Sequence, residues 1–176
     1  MLFRSGPYRL EATLPGFWTF AQTGIVLQVN SNPAINVTLQ VGQLAEVLEV
    51  QANASMVETR STGIGQVVEN SRILELPLVG RQVYDLVTLS GAAVQTGVAQ
   101  TTNRAAYPGT PTFSIAGSMN TGNTVTLDGA MHNDVASNTA LPLPFPDALQ
   151  EFKLETSSLP AQYGFHSGAA LDAVTK

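Results

Sequence analysis

The residues of this sequence that could carry out hydrolytic chemistry gather around its two histidines, His132 and His166. A serine nucleophile needs an imidazole base and an orienting carboxylate. Ser167 directly follows His166, and Asp128 lies shortly before His132. Adjacent residues of an extended segment point to opposite sides, so His166 and Ser167 could pair only across a special turn. A hydrolase that uses His132, His166, Ser167 and Asp128 stays an open alternative.

Metal binding is the second chemistry that the same region suggests. Asp128, His132 and Asp134 lie close in sequence, and carboxylate and imidazole groups are hard or borderline ligands. The segment "LDG" that contains Asp128 also has a structural interpretation, as a strand end followed by a turn. The sequence contains no cysteine, which excludes disulfides, thiolate metal sites and cysteine nucleophiles. We expect neither a metal nor a cofactor.

Composition and charge limit the classes of function. The 176 residues suffice for one domain or two small ones, and only 12% of them are charged. The net charge is −5, and the eight basic residues are scattered, so we expect no nucleic-acid binding. The N-terminal segment "MLFRSGPYRL" lacks the apolar region of a signal peptide. No apolar run is long enough for a transmembrane helix.

The first fifty residues predict short β-strands. Residues 8–12 alternate between apolar and polar, residues 24–29 form an apolar run, and residues 14–17 form a turn. Residues 35–41 alternate with their apolar side chains on one face, and residues 46–52 alternate again. This pattern is typical of a half-buried antiparallel sheet.

The rest of the chain predicts a mixture of short helices, strands and loops. A helix over residues 68–76 would be capped by Asn70 or Ser71, and a second helix would cover residues 80–89. In the second helix the apolar side chains of Val83, Leu86 and Val87 share one face. Residues 90–111 predict a long loop. Strands are predicted over residues 112–116, 124–128, 152–156 and 169–174, with a turn at 120–123 and one helical turn at 146–150.

The order of motifs in this second part resembles the plug domain of TonB-dependent outer-membrane receptors. "NSRILELPLVGR", residues 70–81, resembles the opening of that domain. "FSIAGSMNTGNTVTLDGAMHND" resembles its middle, where a strand, a glycine turn and "LDG" follow one another. "PFPDALQEFKLETSSLPAQYGFHSGAALDAVTK" resembles its end, whose last strand runs on into the β-barrel in the family.

The upstream segment "GPYRLEATLPGFWTFAQTGIVLQVNSNPAINVTLQVG" is similar to the second half of a carboxypeptidase-regulatory-like β-sandwich. That module precedes the plug in Oar-like receptors, and "EVLEVQA", residues 46–52, stands where such receptors carry the TonB box. The resemblance implies a β-rich α+β fold, with a partial sandwich over residues 1–43 and a TonB-box-like strand and linker over 44–62. Residues 63–176 would form a plug with a small mixed sheet, short helices and long loops.

The resemblance implies a transport component rather than an enzyme. The plug would fill the lumen of a barrel of roughly 22 strands, gate it, and bind a substrate and TonB. An extended box adds a strand to TonB's sheet, and main-chain hydrogen bonds give the affinity. The contact with TonB would involve Glu46, Val47, Leu48, Glu49 and Val50. The substrate-facing loops, residues 91–111 and 132–146, would present Arg104, Tyr107, His132, Asn133 and Asp134. Arg81 would reach a carboxylate on the barrel wall.

The resemblance also implies partners and a location. The partners would be the C-terminal domain of TonB, the β-barrel of the parent protein and a transported substrate that the sequence does not name. The parent would lie in the outer membrane, facing the periplasm. Since the early sandwich strands and the barrel do not appear, we expect an internal fragment, cut at Lys176 by cloning or gene fragmentation. The alternatives are a small stand-alone hydrolase from environmental DNA and a β module that self-associates through unpaired strand edges.

Overall fold

A computed structural model of the protein describes residues 6–29, 31–42, 47–51, 63–98, 110–164 and 167–176. These residues form ten β-strands, two short α-helices and three single 3₁₀ turns. The predicted β-rich α+β class is therefore confirmed. The chain divides into two units, Met1–Ser61 and Thr62–Lys176. Within the described ranges, no helix has both the length and the apolar character needed to cross a membrane.

The first unit contains a three-stranded sheet in the order β1-β2-β3. Strand β1 covers Gly6–Ala12, β2 covers Thr19–Leu27, and β3 covers Val47–Gln51. The predicted turn between β1 and β2 is confirmed, because the Phe17 amide donates to the carbonyl of Leu14 at 3.0 Å. β1 pairs with one edge of β2 in antiparallel orientation, and β3 pairs with the other edge in parallel orientation.

The strand predicted over residues 35–41 is wrong. Residues 32–40 form no strand. The end of the segment contacts the residues before β2 through a single bridge between Phe17 and Val41 and through hydrogen bonds from the Trp18 amide to the Gln40 carbonyl and from the Gly42 amide to the Gly16 carbonyl. Alternation indicates which face of a segment would be buried, but a strand forms only where the segment also pairs with a neighbour. Both edges of β2 are taken by β1 and β3, and Val41 is 81% exposed.

The second unit begins with strand β4 over Ile64–Glu69, helix α1 over Asn70–Glu75 and helix α2 over Asp85–Thr88. The predicted capping of α1 by Asn70 or Ser71 is wrong, because Glu69 is the N-cap and no side chain caps the helix. The amide of Asn70 instead donates to the Leu149 carbonyl at 2.6 Å. Helix α2 is shorter than predicted, since a separate 3₁₀ turn, Val79–Arg81, precedes it.

A two-stranded sheet follows, formed by β5 (Ala93–Val98) and β6 (Pro111–Ile115) in antiparallel pairing. The prediction of strand at residues 112–116 is confirmed. The prediction of loop at residues 90–111 is wrong for its first part, because Ala93–Val98 pairs with β6. Gly97 and several polar residues weaken the alternation of apolar and polar side chains in β5. The strand therefore forms through its pairing with β6 rather than through its local sequence.

The main sheet has five strands in the order β4-β9-β10-β7-β8. Strand β7 covers Thr124–Leu127, β8 covers Ala130–Met131, β9 covers Leu149–Ser157, and β10 covers Ala170–Thr175. β10 pairs parallel to β7 and antiparallel to β9, so the sheet is mixed. The final strand predicted near residues 169–174 is confirmed, and it lies at the centre of the sheet with its backbone paired on both sides.

One face of this sheet carries the hydrophobic core of the second unit. Alternate residues of neighbouring strands share a face, which brings Phe152 and Leu154 of β9 beside Leu171 and Ala173 of β10, all 3% exposed or less. The three apolar residues that the sequence predicted on one helical face are buried: Val83, Leu86 and Val87. Leu86 and Val87 belong to α2, and Val83 lies in the turn before it.

Candidate functional site

The segment predicted to contact TonB forms strand β3. Each of its five residues has a partner in β2, from Thr19 opposite Val47 to Thr23 opposite Gln51, and the register has no shift. Val50 is 37% exposed. Glu46, the first residue of the predicted contact, lies outside the described residues. Sequence reasoning predicted the strand but missed its partner, because a parallel pairing across more than twenty intervening residues leaves no local pattern.

Asp128 and Gly129 of the "LDG" segment form the two-residue turn between β7 and β8. Both have positive φ angles, 51° and 79°, as a type I′ hairpin requires. The Asp128 carboxylate accepts hydrogen bonds from the Thr175 amide and hydroxyl, each at 2.8 Å. The Asp128 amide donates to the Ala173 carbonyl at 2.9 Å. The turn at "LDG" confirms the structural interpretation of this segment. Asp128 also joins the hairpin to the end of β10, which the sequence did not predict.

The loop over residues 132–146 is held to the sheet by its first residues. The His132 ring Nε2 lies 3.0 Å from the Pro142 carbonyl oxygen, and the His132 amide donates to the Val125 carbonyl at 2.7 Å. Asn133, which was predicted to face a substrate, is 7% exposed. Its Oδ1 accepts from the Val125 amide at 2.7 Å, and its Nδ2 donates to the Asn123 carbonyl at 3.0 Å. In this structure its side chain stabilises the base of the loop.

Asp134 closes a tight turn within the same loop. Its Oδ1 accepts hydrogen bonds from the Ser137 hydroxyl and amide, both at 2.8 Å, and from the Ala136 amide at 3.0 Å. The bonds from Ser137 lower the pKa of the Asp134 carboxyl, because they stabilise its charged form. This arrangement gives the carboxylate a structural role in the turn.

Asn123 is a structural centre that the sequence did not single out. Its Nδ2 donates to the Phe113 carbonyl of β6 at 2.8 Å, and its Oδ1 accepts from the Ala169 amide, beside β10, at 3.1 Å. The side chain is buried, so one amide connects the small sheet with the main sheet. A polar residue directly before an apolar strand was the available signal, but the sequence alone assigned it to a turn.

The face of the main sheet opposite the core carries buried charged residues. Alternation along β9 places Glu151, Lys153 and Glu155 on one face, and Asp172 of β10 is the register partner of Lys153. These four residues are 2–6% exposed. Lys153 Nζ lies 2.7 Å from Glu155 Oε1 in an ion pair. Sequence reasoning missed this charged face, because it interpreted residues 152–156 only as an alternating strand.

Asp172 anchors the centre of this face. Its Oδ2 accepts a hydrogen bond from the Tyr163 hydroxyl at 2.7 Å, and its Oδ1 accepts from the hydroxyl of Thr126, its register partner in β7. The pKa of Tyr163 is raised, first by burial and then by its bond to the Asp172 carboxylate, since both disfavour a phenolate. The arrangement keeps this phenol protonated and donating.

The remaining predicted site residues are dispersed. The Arg81 guanidinium pairs with the Asp147 carboxylate within the chain, and both side chains are exposed. Ser167 lines an open cavity of about 350 Å³, together with Thr156, Ser157 and Tyr163. Arg104, Tyr107 and His166 lie outside the described residues.

The structure does not assemble a hydrolytic triad from the described candidates. The hydrogen bonds of His132 go to Pro142, Val125 and Leu141, and those of the Asp128 carboxylate go to Thr175. Among the residues with described positions, no group of three His, Asp or Glu side chains is close enough to hold a metal ion. Asp128, His132 and Asp134 therefore do not form a cluster of ligands.

Solved structures of three bacterial proteins are similar to part of this chain. The outer membrane transporter YddB from Escherichia coli has 18% sequence identity and a TM-score of 0.49, and the match covers 64% of this chain and 17% of that one. The siderophore receptor PirA from Acinetobacter baumannii has 17% identity and a TM-score of 0.47, with coverage of 66% and 17%. PirA from Pseudomonas aeruginosa has 15% identity and a TM-score of 0.43, with coverage of 66% and 18%.

The matched part of this chain spans about a sixth of the length of these solved proteins, 17% or 18% in each case. No protein-family model matches the sequence. A search of curated proteins gives no match either.

Proposed function

We propose that the chain is an N-terminal and plug fragment of a TonB-dependent outer-membrane transporter of the Oar-like type. In this proposal, residues 1–43 belong to a carboxypeptidase-regulatory-like domain, and residues 44–62 carry the TonB box and a linker. Residues 63–176 are the plug, which gates the parent barrel and contacts the transported substrate. The parent protein would lie in the outer membrane, with this part of the chain facing the periplasm.

One observation carries the proposal. The segments whose sequences resemble the plug lie far apart in the chain, yet they meet in one sheet. "TVTLDGAM" supplies β7 and β8, "LQEFKLETS" supplies β9, and "ALDAVT" supplies β10. These strands are consecutive neighbours in the sheet. Asp128 of "LDG" bonds to Thr175 of the last strand, so two of the resembling segments are connected through a residue that defines one of them. A chance likeness of separate motifs would not require them to share a sheet.

The proposed substrate-facing region is the loop over residues 132–146. Its two ends are held to the sheet and to α2: Asn133 bonds to Val125, and the Tyr84 hydroxyl donates to the Leu141 carbonyl at 2.6 Å. Val135 lies between these two held positions and is 101% exposed. Phe145 lies after the second position and is 72% exposed. A loop that is held in place by hydrogen bonds and exposes apolar side chains is suited to contact a ligand. Substrate binding that survives replacement of this loop and of residues 91–111 would argue against both assignments.

The proposal is tested by binding to the C-terminal domain of TonB. We expect the full chain to bind that domain, and we expect binding to be lost when residues 47–51 are replaced by a glycine–serine segment of equal length. The matched control replaces residues 31–35 in the same way, because that segment of the first unit forms no strand. Binding that is equally strong in both variants would overturn the assignment of the TonB contact. Absence of binding by the unmodified chain would overturn the proposed function.

A further inference from the structure

Two buried oxygen atoms on the charged face of the main sheet have no hydrogen-bond partner within the described part of the chain. They are Thr124 Oγ1 and Glu155 Oε2, and their residues are 6% and 2% exposed. A buried oxygen without a partner costs free energy, so such atoms in folded proteins usually bond to the protein or to an ordered water molecule. Both oxygens therefore require a partner other than the described protein groups.

Thr124 and Glu155 lie in one row across three neighbouring strands. Ala170 of β10 is the register partner of Thr124 in β7 and also of Glu155 in β9. Register partners share a face of the sheet, as shown by the hydrogen bond between Thr126 and Asp172, another such pair of β7 and β10. The Ala170 side chain is a methyl group, so it can bond to neither oxygen. The two oxygens therefore flank a methyl group on the same buried face.

A water molecule satisfies both oxygens more completely than a cation does. Glu155 Oε1 already lies 2.7 Å from Lys153 Nζ, so the carboxylate has a counter-ion within the chain. The Thr124 hydroxyl needs an acceptor for its proton, which water supplies and a metal ion does not, and water also donates to a carboxylate. Within the described ranges, no three His, Asp or Glu side chains are close enough to hold a metal ion.

We propose that an ordered water molecule binds over Ala170 and bridges the Thr124 hydroxyl to Glu155 Oε2. The water accepts a hydrogen bond from the Thr124 hydroxyl and donates one to the Glu155 carboxylate. Two protein partners meet the requirement of about two to four for a buried water. The bridge links β7 with β9, which do not pair directly because β10 lies between them. This inference does not rest on the proposed function.

The test counts long-lived water molecules by oxygen-17 magnetic relaxation dispersion on the full chain in solution. This measurement detects intact water and is insensitive to exchanging hydroxyl protons. Thr124→Val keeps the shape of the side chain but removes the hydroxyl, so we expect the dispersion amplitude to fall by the equivalent of one water molecule. Thr156→Val is the matched control, because that hydroxyl bonds to the Ile64 carbonyl at an exposed position, and it should leave the amplitude unchanged. Equal amplitudes in the unmodified chain and Thr124→Val would overturn the inference.

A second variant supplies a hydroxyl from the protein itself. Ala170→Ser places this hydroxyl between Thr124 and Glu155, where it displaces the water and bonds in its place. We expect the dispersion amplitude to fall by the same amount, with no fall in the urea midpoint of unfolding. An unchanged amplitude in Ala170→Ser would contradict the proposed position of the water.

A crystal structure of the unmodified chain decides the question without any substitution. We expect electron density for a water molecule within hydrogen-bond distance of both Thr124 Oγ1 and Glu155 Oε2. Density that shows the two oxygens without such a water would overturn the inference.

The choice of water over a cation has its own test. We expect the urea midpoint of the unmodified chain to be the same in sodium, potassium and choline chloride at equal ionic strength. A midpoint that falls in choline chloride for the unmodified chain, but not for Glu155→Gln, would identify a cation as the ligand and overturn the inference.

Discussion

The hydroxyl of Tyr163 donates a hydrogen bond to Asp172 Oδ2 at 2.7 Å, and the two side chains are only 7% and 2% exposed. The bond joins the 3₁₀ turn Ala161–Tyr163 to the central strand of the main sheet. Asp172 has a second donor in Thr126, and its register partner is Lys153. The stability of the second unit should therefore depend on a charged group that is buried and satisfied by its neighbours.

The first prediction concerns this bond. Tyr163→Phe should lower the free energy of unfolding of the second unit by about 1.5–3 kcal/mol, the range for a hydrogen bond to a charged group. Tyr84→Phe is the matched control, because its hydroxyl donates to a neutral carbonyl at Leu141, and it should cost about 0.5–1.5 kcal/mol. Urea unfolding followed by amide exchange in β10 measures both. An equal loss of unfolding free energy in the two variants would show that the charge of Asp172 does not strengthen the hydrogen bond from Tyr163.

The second prediction concerns alkaline pH. Burial raises the pKa of Tyr84 and of Tyr163 above the ordinary value of 10.0, and the Asp172 carboxylate adds to the effect at Tyr163. Because the folded pKa lies above the unfolded one, this contribution to stability is fully present below pH 10. It is lost as the pH rises through the folded pKa. Urea midpoints should fall above pH 10, and less steeply in Tyr163→Phe; an unchanged slope in that variant would contradict the assignment.

The third prediction concerns Asn123. Replacing Asn123 with Ala should leave the Ala169 amide and the Phe113 carbonyl without their side-chain partner, at a cost of about 1–3 kcal/mol for each buried group left unsatisfied. Asn120→Ala is the control, since that side chain is exposed, and it should change stability by less than about 0.5 kcal/mol. Amide exchange at β6 and β10 should increase together in Asn123→Ala. An increase confined to one of these strands would show that Asn123 does not connect them.

The fourth prediction concerns Gly42 in the first unit. A Cβ atom at Gly42 would overlap the indole ring of Trp18, so Gly42→Ala should destabilise that unit by about 1–3 kcal/mol through overpacking. Trp18 is the single tryptophan of the chain, and its fluorescence reports on this site. Asn36→Ala, at an exposed position of the same segment, is the control. An unshifted fluorescence transition in Gly42→Ala would mean that the segment does not pack on Trp18.

Local sequence was sufficient for several features that depend on neighbours along the chain. The spacing of Val83, Leu86 and Val87 predicted a buried helical face. All three are buried, although the helix contains only Leu86 and Val87. The dipeptide Asp128-Gly129 predicted a turn, because these residue types tolerate the positive φ angles that a two-residue hairpin requires. The apolar run near the C-terminus predicted a buried strand, and β10 is that strand.

Tertiary structure decided what depends on distant partners. Residues 35–41 alternate as well as any strand of the chain, but β1 and β3 occupy both edges of β2, so no edge of that strand was free to pair with them. The bonds of Asp128 to Thr175 and of Asn123 to Ala169 join residues more than forty positions apart. Hydrophobic periodicity indicates which face of an element is buried. Which neighbour the element pairs with depends on the other segments of the chain, because they compete for the same backbone donors and acceptors.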